Sequence, residues 1–202
     1  MGSQIRYYST NRNLKTPIEG FKKNVSFREA LFMGMAPDKG LFMPTKIPKL
    51  SKNEILALKG KPYSAVAYEV LRKFLRYDIE DTDLKEMTKD AYHFNIPMEK
   101  IDDLTWIVRL DQGPTASFKD FPAQLMARLM CTLKPKNKKI TILVATSGDT
   151  GSAIGEAYRG LKGINVCILY PKGEVSSIQK QHMDTIGKNV QAIAIDGKFD
   201  DC

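Results

Sequence analysis

The sequence predicts an α/β protein, with a mainly helical N-terminal part over residues 1–98 and the start of a parallel sheet over 99–202. Three observations carry this reading. In the first half, apolar residues recur at helical spacing. From residue 104 onward, apolar runs alternate with helix-like stretches in the order strand, helix, strand, helix, strand, and short links between such elements mean right-handed crossovers and parallel strands. Finally, turns rich in Gly, Ser and Thr stand where strands end and helices begin.

The elements follow in chain order. Ser26 precedes an apolar stretch and Glu29 stands three residues on, which is a capping-box helix start. Ala36-Pro37-Asp38-Lys39-Gly40 reads as a turn into the short apolar piece Leu41-Phe42-Met43. A short helix is expected over 51–58. A longer one over 63–75 carries Val66, Val70 and Phe74 on one face, and a third over 81–94 carries Leu84, Met87, Ala91 and Phe94, with Pro97 ending it. The boundary between the two parts is expected within 95–102. Beyond it, 104–110 is a strand candidate, and 117–133 a helix with Phe121, Leu125, Leu129 and Leu133 on one stripe. The continuous apolar run 140–145 has the character of a strand buried on both faces. A helix from 150 to 158, a strand over 166–170, a helix over 176–186 and a strand over 190–195 complete the pattern.

Composition excludes several classes. The chain has 202 residues, 43% of them hydrophobic, enough to bury a core and unlike a disordered or disulfide-stapled polypeptide. No run of about 18 apolar residues is present, so no membrane-spanning helix is expected. The N-terminus Met1-Gly2-Ser3-Gln4-Ile5-Arg6 lacks the apolar run of a signal peptide, and Arg6 breaks the myristoylation pattern. Met1-Gly2-Ser3 also has the look of an appended leader. Three cysteines, Cys131, Cys167 and Cys202, with no CxxC spacing suit free thiols in a reducing compartment, so the cytoplasm is expected. The formal charge of +8 would suit nucleic acid if Lys and Arg were clustered among aromatics. The densest run, Lys134-Pro135-Lys136-Asn137-Lys138-Lys139, instead sits between a helix and a strand as a solvated connector, and no nucleic-acid partner is expected.

Three turns hold the residue types of a site. In Gly113-Pro114-Thr115-Ala116-Ser117-Phe118-Lys119-Asp120-Phe121, a lysine falls in the first turn of a helix directly after a strand. The helix dipole there disfavours a second positive charge and favours the neutral amine that Schiff-base chemistry needs, with Asp120 partly offsetting the effect. By itself Lys119 also reads as a surface lysine. The second turn, Ala145-Thr146-Ser147-Gly148-Asp149-Thr150-Gly151-Ser152, offers two glycines for close backbone approach and several donors at a strand's carboxyl end, where open α/β sheets bind ligands. An ordinary tight turn has the same residues. The third, Tyr170-Pro171-Lys172-Gly173-Glu174-Val175-Ser176, would lie at the same sheet edge, where Lys172 faces an anionic substrate or simply solvent. Neither histidine, His93 or His182, lies in a zinc-binding spacing. No GxSxG elbow or P-loop is present, and His93 reads as a partly buried structural residue.

In this order and spacing, the motifs resemble the threonine synthase family across nearly the whole chain. The resemblance runs from Tyr7-Tyr8-Ser9-Thr10 and Val25 to Leu31, through Gly34 to Pro44, the three turns above, and Phe199-Asp200-Asp201-Cys202. It implies a tryptophan-synthase-β-like fold, pyridoxal 5'-phosphate (PLP) as cofactor, and conversion of O-phospho-L-homoserine and water to L-threonine and phosphate. Lys119 aligns with the family's Schiff-base lysine, and Ser117 flanks it. Asp149 stands where related enzymes often carry an asparagine that bonds the pyridine hydroxyl. Thr146, Ser147, Gly148, Thr150 and Gly151 would meet the substrate, as would Lys172. The chain is about half the family's length and lacks the later glycine-rich phosphate cradle, so it resembles the front part only, with the C-terminal half of the same enzyme as the partner it lacks. A phospholyase that eliminates phosphate without making threonine, and a non-catalytic binding module, are the other two readings.

Overall fold

The computed structural model describes residues 4–202, and these fall into two compact units divided between Lys89 and Asp90. The leader-like Met1-Gly2-Ser3 lies outside the described residues. No helix among them is long and apolar enough to cross a membrane.

The first unit holds β1 (Tyr7–Ser9), α1 (Phe27–Met33), β2 (Phe42–Pro44), α2 (Lys52–Ala57), α3 (Tyr63–Leu75) and most of α4 (Asp81–Ala91). Antiparallel β1 and β2 pair from Tyr7↔Pro44 to Ser9↔Phe42. Ile5, Tyr7, Val25 and Ala30 form a small core, with Phe21, Phe27, Phe42 and Phe74 packed around it. The expected capping box is present: Glu29 N–H donates to Ser26 Oγ, and Ser26 N–H donates to Glu29 Oε2 at 2.7 Å. Those bonds and Lys23 hold the Glu29 carboxyl down at about 2.

The turn before β2 is tied by Asp38, which is buried. Its carboxylate accepts from Ser9 Oγ (2.6 Å), Phe21 N–H (2.7 Å) and Gly40 N–H (3.0 Å). Burial works against the charge, but these bonds outweigh it and hold the pKa below the usual carboxylate range. A side chain at Gly40 would lie 2.1 Å from Ser9 Oγ, so only glycine closes this knot.

Asp78 is the opposite case. Gln4 Nε2 donates to its Oδ1 at 3.2 Å, while the buried Oδ2 has no partner among the described residues. Burial therefore raises its pKa. A raised pKa makes its contribution to stability greatest below the unfolded value of about 3.9, and that contribution is lost as pH rises through the folded one. Asp78→Asn is expected to raise the unfolding midpoint at pH 7, on the order of half a kcal/mol after solvent screening. Denaturation at pH 7 and at pH 3 checks this, since the advantage should vanish at the lower pH.

The second unit begins with an antiparallel hairpin, β3 (Met98–Lys100) against β4 (Trp106–Val108). This corrects the expectation of a strand over 104–110 in the parallel sheet. Ladder pairing covers only three residues, and Met98, Ile101, Leu104, Trp106, Ile107 and Val108 are all exposed. The chain then forms α5 (Asp120–Leu133), β5 (Ile140–Ala145), α6 (Asp149–Tyr158), β6 (Ile164–Pro171), α7 (Ser177–Thr185), β7 (Val190–Ile195) and a closing 3-10 turn, Phe199–Asp201. The sheet is parallel with order β5-β6-β7. The apolar face of α6 rests on Ile168 and Val190, and α5 packs beside α6.

A second correction concerns β5. Its residues alternate between half-buried and exposed, rather than being buried on both faces. Ile142 and Val144 lie level with Val166 and Ile168 on the helix-covered side. Leu143 (67% exposed) lies level with Cys167, and Leu169 lies level with Ile193 (38% exposed) on the other. An apolar strand forms there with no layer over its outer face among the described residues. His93 is also exposed rather than partly buried, with its Nδ1 3.0 Å from the Asp90 carbonyl oxygen.

Candidate active site

The first turn is built around Asp120, fully buried at 0% exposure. Its carboxylate accepts from Thr115 N–H (2.9 Å) and Thr115 Oγ1–H (2.8 Å), and a Cβ at Gly113 would lie 2.4 Å from its Oδ2. Gly113, Pro114 and Thr115 therefore wrap over this one carboxylate. Ala116 takes the left-handed region at φ 54°, and the buried Ser117 accepts Lys119 N–H on its Oγ at 3.2 Å. On the approach from β4, Arg109 pairs with Asp111 and Glu99, which lowers the Asp111 pKa.

Lys119 is the N-cap residue of α5, one place before the helix, and eleven residues separate β4 from α5. The expectation of a lysine inside the first turn, directly after a strand, is corrected accordingly: Asp120 is drawn into the core and the helix starts there. Lys119 Nζ lies 4.6 Å from the Phe118 ring centroid and forms no ion pair among the described residues. Asp120, its neighbour in sequence, spends its charge on Thr115 instead.

The second turn is braced by Thr146, only 3% exposed, whose Oγ1 accepts from Gly148 N–H and Gly151 N–H, both at 3.0 Å. Its oxygen is occupied inside the turn. The glycines make room for the chain itself: a Cβ at Gly151 would lie 2.3 Å from Thr146 Cγ2, and one at Gly148 2.4 Å from the Gln179 amide. Gly148 also sits at φ 144°, a conformation side chains rarely adopt. What the turn leaves open is the exposed Ser147, the half-buried Thr150, and the N–H groups of Asp149 and Thr150 at the start of α6, which no carbonyl or side chain of the described residues accepts. Unpaired N–H groups at a helix start are an anion site in waiting.

Thr146→Val removes the acceptor and leaves two buried N–H groups unpaired. It is expected to destabilise the chain by roughly 2–3 kcal/mol, while Thr146→Ser, which keeps the oxygen, costs well under half as much. Urea denaturation of the two variants measures the difference.

The third turn lies at the same sheet edge, because β5 and β6 are parallel neighbours. Lys172 N–H donates to Ile195 O at 2.9 Å, and its side chain is exposed. Ser176 caps α7 in a capping box with Gln179. Gln179 then reaches back, its Nε2 donating to Asp149 Oδ1 at 2.7 Å, so the second and third turns are tied together. The sequence reading of the site took Asp120 only as a partial offset to Lys119 and did not include Gln179. The Ser-x-x-Gln spacing at 176–179 signalled Gln179 as a cap, but nothing local announced its reach to Asp149.

Comparison with known proteins adds to this geometry. Residues 6–92 match the family described as Threonine synthase N terminus, and residues 89–202 match Pyridoxal-phosphate dependent enzyme. The threonine synthase of Buchnera aphidicola subsp. Acyrthosiphon pisum is 37% identical over 186 residues, covering 92% of this chain and 43% of its own length. That of Schizosaccharomyces pombe is 37% identical over 218 residues, covering all of this chain and 41% of its own. Among solved structures, PLP-bound threonine synthase from Brucella melitensis superposes with a TM-score of 0.88 at 36% identity, over 98% of this chain and 43% of that one. The chain thus spans less than half the length of the relatives it matches.

Proposed function

The chain belongs to the pyridoxal-phosphate-dependent enzyme family, and on that premise we propose that it forms the front part of a threonine synthase, converting O-phospho-L-homoserine and water to L-threonine and phosphate. The observation that carries this reading is Lys119: an amine with no carboxylate partner among the described residues, held at a helix cap beside the buried Asp120. The donor set suits PLP on the amine side, with Lys119 to hold its aldehyde carbon and Ser117 fixing the lysine's backbone. When bound, PLP supplies an electron sink for the substrate carbanions. The Lys119 amine would also move protons at the substrate carbons.

Asp149 would meet the cofactor ring in this reading, held in place by the hydrogen bond from Gln179 Nε2. Ser147, Thr150 and the open N–H groups of α6 hold the substrate carboxylate. Lys172, exposed on the next turn, meets the substrate phosphate. Thr146, Gly148 and Gly151 would meet the substrate through the turn that their own hydrogen bonds and close packing shape. The phosphate cradle comes from the remainder of the enzyme, which also covers the bare face around Leu143 and Ile193. The free thiols Cys131, Cys167 and Cys202 suit a reducing compartment, which is the cytoplasm in this reading.

Product analysis tests the reaction. PLP-loaded protein, in the longest form cells make, is given O-phospho-L-homoserine, and threonine and phosphate are expected in equal amounts. Release of 2-oxobutyrate with phosphate would replace the proposal with a phospholyase. No turnover, together with salt-sensitive nucleic-acid binding that survives Lys119→Ala, would make the chain a binding module instead.

A further inference from the structure

The first unit contains a cavity of about 380 Å³, within the range of roughly 300–1,000 Å³ typical of small-molecule sites. Its lining is heavily cationic: Lys46 and Lys49 on the segment after β2, and Arg72, Lys73 and Arg76 at the end of α3. Basic residues in a last helical turn ordinarily answer the helix dipole, whose negative end is worth roughly half a charge. Arg72 and Lys73 in that turn, with Arg76 as the C-cap and two lysines from another segment lining the same cavity, exceed that need.

The carboxylates around the cavity do not neutralise it. Arg72 pairs with Glu69 at 2.6 Å and Lys73 with Glu54, and these two pairs are complete in themselves. Asp81, also in the lining, accepts from Tyr68 Oη–H and sets one negative charge against the cluster. Asp78 lies beyond the lining, and burial pushes it toward its neutral form. Lys46, Lys49 and Arg76 have no carboxylate partner among the described residues. Arg76 is already oriented, with its guanidinium 4.8 Å from the Tyr77 ring centroid and one N–H donating to Tyr77 Oη at 3.0 Å. Its remaining donors are free to grip a planar or tetrahedral anion.

We propose that this cavity binds a diphosphate group, either free or carried by a small molecule. Three cations without a carboxylate partner, set against the single charge of Asp81, leave a net positive lining that suits a polyanionic diphosphate, and Arg and Lys together are the usual phosphate grip. The modest volume of this half-open cavity suits a small ligand rather than a nucleic acid. No stacking platform accompanies the charges, because the aromatic ring in the lining, Tyr77, is covered by Arg76. The site needs nothing from the second unit, so it stands or falls independently of the Lys119 chemistry.

Isothermal titration of the whole chain with sodium pyrophosphate, and in parallel with ADP, tests the proposal at low salt. One saturable site is expected for at least one of them: similar affinities assign recognition to the diphosphate alone, and tighter ADP binding assigns it to a carried diphosphate. Lys49→Gln and Arg76→Gln should each weaken binding about tenfold. Both positions are exposed, so the unfolding midpoint should stay unchanged. Lys136→Gln, in the exposed connector after α5, controls for net charge and should leave affinity intact. The proposal is overturned if neither ligand saturates, if Lys136→Gln weakens binding as much as Arg76→Gln, or if RNA binds there and pyrophosphate does not displace it.

Discussion

Lys119→Ala is expected to lower turnover of O-phospho-L-homoserine by roughly 10³-fold or more, since on the proposed function it removes the group that would hold the cofactor and move the protons. The same change should hardly touch stability. The lysine's side chain contacts the Phe118 ring and makes no ion pair among the described residues, while its backbone cap position accepts alanine. A shift in unfolding free energy within about 0.5 kcal/mol is therefore expected, as for most surface substitutions. That separation is the useful part of the prediction. A structural lysine would lose stability and activity together, whereas a chemical one loses activity alone. Steady-state kinetics and urea denaturation on one preparation read both quantities.

The second large effect runs the other way. Asp120→Ala is expected to cost roughly 3 kcal/mol, because a buried carboxylate with two hydrogen bonds leaves and the Thr115 N–H loses its acceptor. The Gly113-to-Thr115 turn would lose the group it wraps, and with it the fixed position of Lys119 on its cap. Asp120→Asn keeps one oxygen but offers the other Thr115 donor an N–H group, so an intermediate loss is expected. Activity should fall with stability in this series, in contrast to Lys119→Ala. Thermal unfolding and turnover across the three variants check the ordering.

Residues that make local bonds were legible in the sequence. Ser26 and Glu29 form the box their spacing announced, and α3 runs from Tyr63 to Leu75 as its apolar spacing required. The parallel order of β5, β6 and β7 also follows from alternation of elements. What escaped the reading depends on partners distant in sequence. Strand β5 carries apolar residues on both faces, but burying Leu143 needs a layer that the described residues do not include. Trp106 to Val108 has strand chemistry, yet its mate is the neighbouring Met98–Lys100 rather than the sheet.

The site shows the same division. A glycine beside hydroxyls reads as room for a ligand, and the room at Gly148 and Gly151 proves to be filled by Gln179 and by Thr146 with Ile168. Nothing near Asp120 in sequence signals that its carboxylate turns back to Thr115. The type of each residue was visible, but the direction of its side chain was not.

The central claim is that Lys119 is the residue that holds PLP. It is tested most directly by loading the longest natural form of the polypeptide with PLP, reducing it with borohydride, and mapping the modified peptide by mass spectrometry. The account predicts one phosphopyridoxyl adduct, on Lys119, that disappears in Lys119→Ala. An adduct on any other lysine, or none at all from protein shown to be folded, would contradict it.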